Sequence, residues 1–288
     1  MVGSQRAPGS GVAHPQGVAS ITSARVAFRQ DNPVLIIAIP VRNEAPTIGV
    51  LLWRMRAVFQ EYPREFEVLV FDDGSTDATA EVLAPYASAL PLTVLGGAEP
   101  VGYARAVDAL LREAARRTRY PRRDAVILMQ GDFTDQPEHI PELVRRFEGG
   151  ADIVCAERPI DRAMPAAERR LRRIARWLLR GTLASAASED PFGTFRLIRL
   201  STVRDLIKAR GVAPLIAAAG WSGNLELLHA ARASARRVEM VSLPARYDLR
   251  TRESRRRVVS DAVDLVRTAR RVRSFAAAAP RPAAPRPA

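Results

Sequence analysis

The 288-residue chain contains one cysteine, Cys155, and one lysine, Lys208. A lone cysteine excludes an internal disulfide and any cysteine-based metal cluster. Its place in the apolar run ADIVCAER reads as a buried structural thiol and not as a nucleophile. The three histidines, His14, His139 and His229, show no metal-ligand spacing. No apolar run approaches the roughly 20 residues that a membrane-spanning helix needs. The opening MVGSQRAPGSGVAHPQG lacks the apolar stretch of a secretion signal. The expectation is a cytoplasmic chain that meets a membrane only peripherally, at its cytoplasmic face. No G-x-G-x-x-G follows the first apolar run, and no G-x-x-x-x-G-K-[ST] occurs, which argues against a dinucleotide oxidoreductase and a P-loop NTPase.

What is abundant is arginine. Lys and Arg together number 44 against 31 Asp and Glu, a formal charge of +13. Part of this excess reads as coding bias, because lysine is almost absent; the rest favours anionic partners such as phosphorylated substrates or anionic lipid. No recognition motif accompanies the basic runs, so nucleic acid is not expected. Hydrophobic residues make up 47%, enough for a sizeable core. Residues 1–31 read as a disordered arm and 276–288, AAAAPRPAAPRPA, as a disordered tail that cannot pack a core.

Between these ends strands and helices alternate. Short apolar runs at Val34–Ile39, Glu67–Phe71, Leu92–Leu95, Ala125–Met129 and Asp152–Ala156 read as strands covered on both faces. Helical periodicity separates them. From Pro46 to Gln60, Ile48, Leu51, Leu52, Met55, Val58 and Phe59 form one apolar face. The rhythm predicts an α/β domain over 32–257 with a mainly parallel sheet, helices on both faces, and a Rossmann-like half followed by a second half. A basic helix is expected over 258–275.

In such sheets ligands bind beyond the carboxyl ends of the strands. Acidic residues stand there twice: Asp72-Asp73-Gly74-Ser75 after the second strand and Gln130-Gly131-Asp132 after the fourth. Carboxylates so placed can accept hydrogen bonds from a base or ribose, or hold a hard divalent cation. They are equally good turn and capping residues.

These segments form an ordered series. Ile39-Pro40-Val41-Arg42-Asn43-Glu44, Asp72-Asp73-Gly74-Ser75-Thr76-Asp77, and Gly131-Asp132 followed by Pro137-Glu138 come first. Gly150-Ala151-Asp152-Ile153-Val154 with Arg158, then Asp190 with Gly193-Thr194-Phe195-Arg196-Leu197-Ile198-Arg199, come next. Leu225-Glu226-Leu227 and the stretch from Arg250 to Arg255 complete it. The series resembles the GT-A family-2 glycosyltransferases, and within them the dolichol-phosphate or polyprenyl-phosphate mannose synthases, over about residues 34–257.

The resemblance implies a GT-A fold and an inverting transfer of a sugar, mannose from GDP-mannose in the first instance, from a nucleotide sugar to a polyprenyl phosphate. It implies donor binding by Pro40, Arg42, Glu44, Phe71, Asp73, Gln130, Gly131, Asp132 and Arg158, with Asp73 facing the base. Asp132, Arg250 and Arg255 would carry catalysis. The implied metal is Mg²⁺ or Mn²⁺ on Asp132, with Gln130 a second candidate ligand. Gln130 stands where the family's D-x-D has its first aspartate, and this loss of a negative charge weakens the expected metal site. Arg252 and Arg255 replace a glycine and a lysine of the family's last motif. Two alternatives stay open: a UDP-sugar enzyme acting on a hydroxyl acceptor, and a non-catalytic nucleotide-sugar-binding or scaffold protein.

A lipid acceptor requires membrane contact. Arg169, Arg170, Arg172, Arg173, Arg176 and Arg180, interleaved with Leu171, Ile174, Trp177, Leu178 and Leu179, suit an anionic membrane surface. A solvated basic face over an ordinary core stripe fits the same pattern. Arg255–Arg273 is similar. The lack of a spanning segment also leaves room for a separate membrane partner.

Overall fold

The computed structural model describes residues 34–158, 164, 166–179, 190, 193–218, 220–243 and 263–271. The arm expected over 1–31 and the tail expected over 276–288 lie outside the described residues, as do Arg250 and Arg255.

The first half alternates as its periodicity requires: β1 (Leu35–Val41), α1 (Ala45–Glu61), β2 (Phe66–Asp73), the short α2 (Thr79–Leu83) and α3 (Tyr86–Ala89), β3 (Leu92–Gly97), α4 (Tyr103–Arg117) and β4 (Ala125–Leu128). A 3₁₀ turn at Pro137–His139 leads into α5 (Ile140–Glu148) and β5 (Ile153–Glu157). Then follow α6 (Ala166–Leu179), β6 (Arg196–Arg199), α7 (Leu200–Arg210), α8 (Gly223–Arg232) and β7 (Val238–Ser242). Residues 263–271 form a C-terminal helix.

Among the described residues seven strands form one sheet, in the order β3-β2-β1-β4-β6-β5-β7. β1 pairs in parallel with β2 and β4, β2 with β3, and β5 with β7. β6 runs antiparallel between β4 and β5. Both faces of β1 are covered, and the strand period of two divides its side chains between them. Leu35, Ile37, Ile39 and Val41 pack with α1 residues such as Leu51 and Met55 and with Leu143 of α5. Ile36 and Ala38 pack on the opposite face with Val107 and Leu110 of α4, Val203 of α7 and Leu227 of α8. The predicted apolar face of α1, Ile48 to Phe59, is buried at all six positions.

Since β1 sends its neighbours to opposite sides, β2 and β4, the chain order reverses there. The crevice beyond the carboxyl ends of β1, β2 and β4 is where a doubly covered sheet binds ligands.

Candidate active site

Three loops meet at these strand ends. Pro40 and Phe71 are register partners across β1 and β2, and both are half-buried. Arg42 is exposed just beyond β1. The loop after β1 turns at Asn43, whose φ of 53° is left-handed. Hydrogen bonds to the loop after β2 hold that turn. Asn43 N donates to Ser75 Oγ (2.9 Å), Thr76 N donates to Asn43 Oδ1 (2.7 Å), and Glu44 N donates to Thr79 Oγ1 (2.9 Å). The Asp72-to-Asp77 segment therefore laces two strand ends together. Asp72 Oδ1 accepts from Ser75 N, and Asp77 Oδ1 accepts from Thr79 N at the start of α2. Gly74 is needed here: its φ is +64°, and an added Cβ would sit 2.8 Å from the Ala98 carbonyl oxygen.

Asp73 is buried and spends its carboxylate on backbone. Oδ1 accepts from Val101 N (2.6 Å) and Gly102 N (2.9 Å), which ties the end of β2 to the entry of α4. Glu44 is buried too; its Oε2 accepts from Thr47 Oγ1, and its Cγ lies 3.5 Å from where a Cβ on Gly131 would stand.

The loop after β4, Gln130 to Asp135, is buried throughout. It closes on itself: Asp135 Oδ2 accepts from Gln130 N (2.9 Å), and Asp132 Oδ1 accepts from Thr134 N (3.0 Å). Between them Phe133 has a φ of 65°, a strained value for a non-glycine residue and one typical of functional loops. Its ring is buried, with the Arg54 guanidinium 5.5 Å above it, and Arg54 also pairs with Glu138.

Gln130 enters a neutral network. Its Nε2 donates to Thr194 Oγ1 (3.0 Å), which lies 3.2 Å from Tyr103 Oη, and Tyr103 Oη donates to Asn224 Oδ1 (2.9 Å). Burial pushes the Tyr103 phenol above its ordinary value, so it stays a neutral donor.

Behind the loop lies a buried charge cluster. Arg158 pairs with Asp135 and lies 3.9 Å from Asp190, which is 3.0 Å from Arg172 on α6. All four residues are buried. Burial pushes the Asp135 carboxyl up, against the pull of the Arg158 guanidinium.

Sequence reasoning had placed Pro40, Arg42, Glu44, Phe71, Asp73, Gln130, Gly131, Asp132 and Arg158 at the site, and the fold gathers them at the ends of β1, β2, β4 and β5. It had not singled out Asp135, Tyr103 or Asn224. Arg172, by sequence one of a basic surface set, is instead fully buried against Asp190. On the outer side of α6, Arg170, Arg173, Ile174 and Trp177 share one exposed stripe, Trp177 at 69%. Glu226 is buried; its Oε2 accepts from Ala217 N and Ala218 N and faces Arg271 of the C-terminal helix.

As for metal ligands, no group of three or more His, Cys, Asp or Glu that could hold an ion exists among the described residues. One carboxylate, Asp132, and one amide, Gln130, fit a hard divalent cation only if a ligand brings further oxygens.

Comparison with known proteins agrees with this geometry. The chain matches the family described as Glycosyl transferase family 2 over residues 36–206. It is 32% identical over 173 residues to a bactoprenol glucosyl transferase of Shigella phage SfV, covering 59% of this chain and 53% of that protein. It is 35% identical over 122 residues to an undecaprenyl-phosphate 4-deoxy-4-formamido-L-arabinose transferase of Pseudomonas aeruginosa, covering 41% and 33%. The chain thus spans about half the length, 53%, of the first of these relatives. Among solved structures, it resembles glucosyl-3-phosphoglycerate synthase from Mycobacterium tuberculosis in complex with Mn²⁺, UDP and glucosyl-3-phosphoglycerate. The TM-score is 0.58 at 18% identity, covering 87% of this chain and 81% of that one, a likeness that shows the fold. The sheet order, the loops at its carboxyl edge and the match across residues 36–206 together make this chain a member of glycosyl transferase family 2.

Proposed function

We propose that this chain transfers a hexose from a nucleotide sugar to a polyprenyl phosphate, with inversion at the anomeric carbon. The acceptor class rests on the relatives named for bactoprenol and undecaprenyl phosphate, and the acids of the crevice are compatible with it. Among the described residues around the crevice, Glu44, Asp72, Asp73, Asp132, Asp135 and Glu226 already accept hydrogen bonds from protein donors, and Asp190 faces Arg172. A hydroxyl acceptor needs a base to take its proton. A phosphate monoester is already anionic near neutral pH and needs none.

The step itself is a displacement. A phosphate oxygen of the lipid attacks the anomeric carbon, the bond from that carbon to the diphosphate breaks, and the nucleoside diphosphate leaves with the electron pair. The protein's work is to align the two phosphates and offset the charge on the leaving group. Pro40, Phe71 and Arg42 line the mouth where the nucleoside would lie, and Gln130 to Asp132 sit where the diphosphate would. Mg²⁺ or Mn²⁺ bound there would supply that counter-charge, held by Asp132, with Gln130 as the neutral second group. Glucose, named for the phage relative, joins mannose as the first sugar to test.

No helix among the described residues is long and apolar enough to cross a membrane. The exposed stripe Arg170, Arg173, Ile174 and Trp177 on α6 is the face we assign to the lipid surface, cations for headgroups and apolar groups for the interface.

The test is product analysis. Purified protein is given UDP-glucose or GDP-mannose, Mn²⁺ and detergent-dispersed undecaprenyl phosphate. A sugar-phosphate lipid with inverted anomeric configuration is the expected product. Donor turnover with a sugar alcohol acceptor, and none with the lipid phosphate, would overturn the reading.

A further inference from the structure

We infer that Arg172, on α6, is a positioning residue for the 130–135 loop, acting through a buried relay of alternating charge. The relay is a chain of contacts. Arg172 Nη2 lies 3.0 Å from Asp190 Oδ2. Asp190 Oδ2 lies 3.9 Å from Arg158 Nε. Arg158 pairs with Asp135 Oδ1, and the other oxygen of Asp135 accepts from Gln130 N at 2.9 Å. That last bond closes the loop in which Phe133 is strained, so something must hold the loop closed. Arg158 on one oxygen of Asp135 fixes the carboxylate in the orientation that brings its other oxygen to Gln130 N.

The spacing sets the direction of the effect. Asp190 stands between two guanidiniums, close to Arg172 and farther from Arg158. Arg172 therefore takes up most of the Asp190 charge and leaves Arg158 to Asp135. If Arg172 loses its charge while Asp190 keeps its own, Asp190 competes with Asp135 for Arg158. Asp135 then loses its partner, and its hold on Gln130 N weakens. If both charges are removed, Asp190 no longer competes, and Arg158 returns to Asp135. Arg172 Nη1 also donates to the Arg158 carbonyl at 3.1 Å, so recovery in the double variant is expected to be large but incomplete. The helix that turns Arg170, Arg173 and Trp177 outward thereby turns Arg172 inward to the loop.

That the loop receives the donor's diphosphate rests on the function proposed above; the relay itself does not. Two measurements on the full chain separate them. The first is hydrogen exchange of the ligand-free protein, read on peptides spanning 130–135. Arg172→Gln is expected to speed exchange there by about tenfold or more, because the loop opens locally. Arg172→Gln with Asp190→Asn is expected to restore most of the protection, and Arg172→Lys to stay near wild type. A purely structural Arg172 predicts a double variant no better protected than the single one, and that result overturns the relay, as does an unchanged loop in Arg172→Gln. Should Arg172→Gln fail to fold, the double variant decides: recovery of folding and of loop protection on adding Asp190→Asn supports the relay, and a double variant that fails to fold or leaves the loop open overturns it. The second measurement is UDP affinity with Mn²⁺, expected to weaken about tenfold in Arg172→Gln and to recover in the double variant. Wild type that binds neither UDP nor GDP removes the donor reading and leaves the exchange result to decide the relay.

Discussion

Restoring the family's first aspartate, Gln130→Asp, exposes the logic of this site. Gln130 is 4% exposed and donates through Nε2 to Thr194 Oγ1 at 3.0 Å. Aspartate is one methylene shorter and offers no donor, so this bond is lost, at about 1 kcal/mol. A new buried carboxylate also joins Asp132 and Asp135 in the same loop, and without a cation the like charges repel, adding about 1–2 kcal/mol even after a shift in protonation. The sum, about 2–3 kcal/mol, should lower Tm by roughly 4–12 °C for a domain of this size. The assay is thermal melting in chelator, then with Mn²⁺, then with Mn²⁺ and UDP. The variant should melt well below wild type in chelator and recover more than wild type gains when both ligands are added, because mass action now acts through an extra metal ligand. A variant as stable as wild type in chelator, with no larger gain from Mn²⁺ and UDP, would refute the reasoning that Gln130 is a neutral substitute at a metal position.

Other perturbations test other parts. Gly131→Val places a side chain where even a Cβ comes within 2.9 Å of Val41 Cγ1, and overpacking of this kind should destabilise by about 1–3 kcal/mol, measured by urea melts. Glu113 is held down at about 2 by Arg116 and then Arg117, so Glu113→Gln should cost about 1 kcal/mol at neutral pH, discounted because Arg116 is 71% exposed. A depressed carboxylate stabilises above the ordinary glutamate range and loses that contribution as pH falls, so the two proteins should converge, with more than half the difference gone by about pH 3. Trp177→Asp, at a 69% exposed position, should leave stability within about 0.5 kcal/mol of wild type while sharply reducing co-sedimentation with vesicles rich in anionic lipid.

Much of the fold was legible because burial leaves a period. β1 is covered on both faces and shows a continuous apolar run; α1 is covered on one and shows its stripe. Strand direction left no such mark. Arg196–Arg199 looks like any short strand, and its antiparallel insertion between β4 and β5 is a property of the tertiary path. Site residues near strand ends were legible because position along a strand fixes position at the edge of the sheet. Asp135 and Arg172 were not, since charge in a sequence does not say which way a side chain turns. In a run of arginines Arg172 looks like its neighbours, and its inward contacts with Asp190 and the Arg158 carbonyl distinguish it. The Gln130, Thr194, Tyr103 and Asn224 network likewise joins residues as far as 121 positions apart.

The charges of the site leave one question that experiment can divide cleanly. Asp135, Asp190, Arg158 and Arg172 sum to zero formal charge, so as a group they offer a departing diphosphate no net counter-charge. Gln130 is neutral. Two sources then stand open for offsetting the leaving group: a divalent cation at Asp132, or the arginines at 250 and 255, which lie outside the described residues. They predict different patterns. If the cation dominates, chelator and Asp132→Ala should each abolish transfer, while Arg250→Gln and Arg255→Gln should lower it by about tenfold to a hundredfold, as for a remote electrostatic contact. If the arginines dominate, their loss should be the severe one, and transfer should persist in chelator. Full transfer by Asp132→Ala in the presence of chelator would remove Asp132 and the metal together from the mechanism.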